Sequence, residues 1–96
     1  MISMKVYRRG KETLVAACDA HLLGKEFREG GLKLEVSSFY DGIEVDKAEF
    51  VRHLKQATIG NFVGDIVIEI AIKEGFVDKK CVIRIDGIPH AQMVLI

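Results

Sequence analysis

The chain has no tryptophan, one proline, two cysteines and one asparagine among 96 residues. Each scarcity excludes something. Two cysteines cannot make a disulfide scaffold or a four-cysteine zinc site. One proline and no low-complexity stretch leave no linker, so residues 1–96 read as one domain. Equal numbers of basic and acidic residues, 14 of each, leave no global field to condense on nucleic acid. No apolar run reaches the 18 or so residues of a membrane span. No basic start leads into an apolar secretory segment, so the expected location is the cytoplasm. Met4 could serve as the start, which makes residues 1–3 an expected dispensable extension. There is neither a G-x-x-x-x-G-K-[ST] loop nor a strand followed by G-x-G-x-x-G, so no cofactor is expected. Few Asn and Gln beside abundant Lys, Glu and Ile suit a thermophile.

What remains is rich in apolar residues, at 49%. A chain of this length buries roughly 60–65% of its unfolded surface. So much apolar surface on so small a body points to contact with a second copy, a homo-oligomer. Charge is unevenly placed. Residues 1–33 carry seven basic and four acidic groups, and the rest carry seven and ten.

Met4–Arg9 and Thr13–Cys18 read as strands joined through Gly10. Asp19 is placed to cap a single turn ended by Gly24. Glu29-Gly30-Gly31 is a loop. Leu32, Leu34 and Val36 alternate with Lys33 and Glu35, as in a half-buried strand. Asp46 begins an amphipathic helix with Glu49 as capping-box partner and Phe50, Val51, Leu54, Ala57 and Thr58 on one face. Asn61–Glu74 is ambiguous, because Ile66, Ile68, Ile70 and Ile72 alternate while Asp65, Glu69 and Lys73 recur every four residues. Its length favours a helix, capped by Asn61 or Thr58 and closed by Gly75 and Phe76. Cys81–Asp86 and Ala91–Ile96 read as the last strands, with a turn at Gly87-Ile88-Pro89-His90. The order β-β-β-α-α-β-β predicts an α+β fold: a mainly antiparallel sheet of about five strands covered by two helices.

The chemistry-bearing residues are few. His90 and Gln92, beside the only proline, would sit where a sheet end aims polar groups at a ligand. As a base, His90 needs a carboxylate such as Asp19, Asp65 or Asp86; otherwise it bonds a backbone carbonyl and fixes a turn. Gly60-Asn61 at a helix start would offer N–H groups to an anion, although Asp65 opposes one. The candidate ligand or partner contacts are therefore His90, Gln92, Asn61, Asp65 and Asp19. Lys5, Tyr7, Arg8 and Arg9, with Lys11, form the only basic–aromatic cluster. Alternation puts Lys5, Tyr7 and Arg9 on one face and Val6 and Arg8 on the other. Such a set suits single-stranded RNA, although Lys and Arg on a strand more commonly guard a sheet edge. Cys18-Asp19-Ala20-His21 holds half a metal motif with no second half, so no metal is expected. Cys18 and Cys81 remain either a disulfide or two buried thiols.

Thr13–Asp19, Leu23-Gly24-Lys25, Glu29–Leu32, Ala57–Gly64 and, most specifically, Gly87–Gln92 together resemble a small archaeal family known only as domain of unknown function 424. The likeness runs from Met4 almost to the end. It implies an archaeal cytoplasmic protein and a helix over Phe62–Lys73, and it transfers no activity, substrate or cofactor. Gly60 departs from it, since relatives tend to carry alanine there.

Three functions stay open. One is a non-enzymatic binding module, an accessory to RNA or translation machinery. The second is a small enzyme using His90 with a carboxylate. The third is a structural homo-oligomer subunit. No catalytic residue is assigned.

Overall fold

The computed structural model describes residues 1–95. Ile96, the expected end of the last strand, lies outside the described residues.

The hairpin at Gly10 forms as expected. β1 (Ile2–Arg9) and β2 (Glu12–Asp19) pair antiparallel, Arg9 opposite Glu12, across a two-residue turn whose first position is Gly10 at φ 59°. The first residues are built into this hairpin. Ile2 is in the core, and the buried Ser3 Oγ donates to the Tyr40 carbonyl at 2.8 Å. A second hairpin, β3 (Glu26–Glu29) and β4 (Leu32–Glu35), turns at Gly30 and forms a separate two-stranded sheet. β5 (Ile43–Val45) then adds to the outer side of β1.

Asp46 caps α1 (Lys47–Leu54), its carboxylate accepting from the Glu49 N–H at 2.9 Å. The segment after it departs from expectation. Ile59–Val63 is a strand, β6, and α2 runs only over Asp65–Lys73. Gly64 separates them with φ 119°, a conformation no helix interior contains. Asn61 and Thr58 therefore cap nothing. The donors at the start of α2 go to Asp19, forty-seven residues upstream for Ile66 (3.0 Å) and one further for Val67 (3.1 Å). The far end follows the sequence signal. Gly75 takes φ 81°, its N–H donates to Ile72, and the Phe76 N–H donates to Ala71, a Schellman closure.

The last hairpin also turns earlier than expected. β7 (Ile83–Ile85) and β8 (Ile88–Val94) meet at Asp86-Gly87, both at positive φ, the geometry of a type I′ turn. Pro89 and His90 thus lie within a strand. Pro89 has no N–H to lose, and its carbonyl accepts from Gly64 at 3.0 Å.

The main sheet runs β5-β1-β2-β6-β8-β7. It has six strands where about five were expected, and it is mixed, because β2 and β6 are parallel while the other neighbours are antiparallel. The chain reaches that parallel pairing through β5 and α1, the crossover a parallel neighbour requires. Central β2 is buried on both faces from Val15 to Asp19. Val15 and Ala17 face α1 and α2, in a core with Met4, Phe50, Leu54, Phe62 and Val67. Ala16 and Cys18 face the other way, under Leu22, Leu34, Val36 and Tyr40.

Candidate functional site

The face away from the helices carries most of the chemistry, and strand register decides which residues share it. Lys5, Tyr7 and Arg9 from β1 stand opposite Ala16, Leu14 and Glu12 of β2. Leu14 neighbours Ile59 of β6, and Asn61 and Val63 lie opposite Gln92 and His90 of β8. By the two-residue period all these side chains share one face. The 3-10 turn Ser38–Tyr40 folds over part of it.

At the β1 end, Tyr7, Arg8, Arg9, Glu12, Leu14 and Phe39 border a groove of about 610 Å³. Tyr7 and Phe39 stack with centroids 5.2 Å apart and 17° between planes. The Tyr7 hydroxyl donates to the Phe39 carbonyl at 2.8 Å, so the platform is held at both ends. Lys5 Nζ lies 5.3 Å from the Tyr7 ring centre. That exposed cation–π contact is worth about 0.5–1 kcal/mol and is readily exchanged. Leu14 and Ile59 give the groove an apolar floor. Glu12, opposite Arg9, tempers its positive rim.

Further along the face, the buried Tyr40 donates its hydroxyl to Asn61 Oδ1 at 2.5 Å. Burial, with a smaller effect from Cys18, holds that phenol protonated up to about 12. Asn61 is thereby oriented, its amide nitrogen left to donate beside Gln92.

His90 Nδ1 lies 2.9 Å from the Phe62 carbonyl. A carbonyl only accepts, so Nδ1 carries the proton and neutral His90 keeps its lone pair on Nε2. The ring borders a groove of about 350 Å³ with Cys81, Ile83, Ala91 and Gln92.

The carboxylates considered for His90 lie elsewhere. Asp19 is buried and committed to α2, and a Cβ at Gly64 would overlap its carboxylate. Asp65, exposed at the first turn of α2, faces Arg84 at 3.8 Å. Asp86 sits in the β7–β8 turn, its N–H donating to Glu29 Oε1 at 2.6 Å. The structure thus brings together Lys5, Tyr7 and Arg9 at one end and Asn61, Gln92 and His90 along the same face. It separates both groups from Asp19 and Asp65. Arg8 borders the groove from the opposite pleat. Cys18 is buried and Cys81 exposed, and both are free thiols rather than a disulfide.

Phe39, Tyr40, Leu14 and Ile59 were not singled out from the sequence. The adjacent aromatics Phe39-Tyr40 were the available signal, just before the Asp41-Gly42 turn. Among the described residues, no group of three or more His, Cys, Asp and Glu could hold a metal ion, and no helix is long and apolar enough to cross a membrane.

No curated protein sequence matches the chain. The fold is similar to the crystal structure of an uncharacterized conserved protein from Methanopyrus kandleri. That likeness has a TM-score of 0.80 and 22% identity over 96% of this chain and 89% of the other. Residues 7–96 match the model of a protein family of unknown function, DUF424. The match takes in the basic–aromatic end of β1 from Tyr7 and the whole His90–Gln92 strand. On that span the chain belongs to the DUF424 family.

Proposed function

We propose that this protein is a non-enzymatic binding module that takes single-stranded RNA at the uncovered β1 end of the sheet face away from its helices. One observation carries the reading: Tyr7, Arg8 and Arg9 converge on a groove of about 610 Å³ with an apolar floor and a stacked aromatic pair. Single-stranded nucleic acid offers phosphates for basic groups and flat bases for aromatic and apolar ones. Lys5 and Arg9 are exposed on the same pleat as Tyr7, so a phosphate and its base can be met together. A base that replaces Lys5 over Tyr7 frees that ammonium for the backbone. Glu12 limits the positive field, which suits a weak, short contact better than duplex binding. Asn61 and Gln92 supply hydrogen-bonding groups further along the face.

Fluorescence polarisation with labelled mixed-sequence RNA oligomers, over a salt series, tests this. Binding should weaken with salt, and Arg9→Ala should flatten the log–log slope by roughly 0.7, one phosphate contact on a single strand. Tyr7→Leu should weaken binding through about 1–3 kcal/mol of stacking. No binding at low salt, or affinities unmoved by both variants, would reject the module as an RNA binder.

A further inference from the structure

The β8 edge of the main sheet is unfinished. β7 pairs only with Ile88–His90, yet β8 continues to Val94. The Leu95 N–H donates to Thr58 and the Gly64 N–H to Pro89, so odd-numbered residues of β8 are the ones bonded to β6. Gln92 and Val94 therefore direct their N–H and C=O groups outward. Among the described residues, no strand lies on that side of them.

Open edges are normally blunted by charge, proline, a bulge or a covering element. From Ile88 to Leu95 there is no Lys, Arg, Asp or Glu, and Pro89 sits where β7 already pairs. Val94 and Leu95 are each 67% exposed, and Ile83 is 48% exposed at the end of β7. The groove beside Cys81, Ile83, His90 and Gln92 is the notch left where β7 stops.

We propose that this edge pairs with the same edge of a second copy, antiparallel about a two-fold axis at Met93. Such an axis sets Gln92 of one copy opposite Val94 of the other, and the reverse, so every outward backbone group of both residues gains a partner. An axis at Gln92 would set Val94 against His90, whose outward side Ile83 already occupies. A second copy is favoured over a foreign strand because the notch is its own complement in length and polarity. Between Ile88 and Leu95 it also brings no like charges together. The two sheets become one, and the RNA-binding reading at β1 is independent of it.

The test is sedimentation velocity and light scattering over roughly 1 µM to 1 mM, a span of dissociation constants covering weak to moderate dimers. A concentration-dependent doubling of mass is expected. Val94→Pro deletes an N–H that points away from β6, and by symmetry removes it from both copies. It should raise the dimer dissociation constant roughly tenfold or more while circular dichroism is unchanged. Val94→Lys adds edge charge without touching the backbone and should act the same way, which covers any folding defect of the proline variant. A monomer at every concentration, or a dimer that neither variant weakens, would overturn the proposal.

Discussion

Asp19 is a buried carboxylate held by two backbone N–H groups at the start of α2. Helix N-termini favour negative charge, and a buried donor left unpaired costs about 1–3 kcal/mol. Asp19→Ala should therefore lower stability by roughly 2–4 kcal/mol in urea unfolding, and a loss below about 1 kcal/mol would show that water replaces the cap. Gly64 needs its own φ and the space of the carboxylate, so Gly64→Ala should also destabilise. Two buried acids weaken the fold as the pH rises. Burial foremost, then the neighbouring Asp19 and Asp41, pushes the Cys18 thiol from 9.0 to about 11. Burial and Cys18 push the Tyr40 phenol from 10.0 to about 12. Both pKa values are raised in the folded state, so the unfolded chain releases these protons first as pH rises. Their contribution is full below about pH 9, falls from there, and is gone by about pH 12. Thermal melts from pH 8 to 11 should show a falling midpoint, and Cys18→Ala should shallow the fall between pH 9 and 11.

At the scale of elements, turns and helix ends were legible because their signals are local. The Gly10 hairpin, the Asp46 cap and the Gly75 closure each depend on residues within one turn. Asn61–Val63 carries no local signal that sets it apart from the helical periodicity of Asp65–Lys73. Only pairing with β2 and β8 makes those residues a strand. The last hairpin misled for a related reason: Pro89 reads as a turn former, but Asp86-Gly87 supplies a tighter one. The start of β1 gives a clear test. Ile2 is buried and pairs with Asp19 and Val45, and Ser3 ties Tyr40 to the sheet. Deleting residues 1–3 should cost roughly 2–4 kcal/mol in unfolding experiments, from one buried aliphatic side chain and the lost ladder bonds. A deletion that leaves the unfolding midpoint unchanged would mark them as dispensable after all.

For the molecule as a whole, the sheet centre and its margins should differ in stability. β2 is flanked by β1 and β6 and buried on both faces, whereas β5 has three residues and the β3–β4 hairpin stands outside the main sheet. Hydrogen exchange should show Val15–Cys18 opening only with global unfolding, and Ile43–Val45 and Glu26–Glu35 opening far sooner. Equal protection throughout would contradict this layering. The sequence by itself determined the α+β class, the first hairpin, the start of α1 at Asp46 though not its end at Leu54, the closure of α2 and the basic–aromatic pleat of β1. These follow from periods of two and 3.6 and from turn chemistry, which act over a few residues. Only the tertiary structure decided that β2 and β6 run parallel, that Asp19 serves α2, and that Phe39 stacks on Tyr7. It also decided that Asn61, Gln92 and His90 share a face with Lys5 and Arg9. Those outcomes join residues about thirty to fifty positions apart or more, and strand order, which no local pattern encodes, sets which side chains meet.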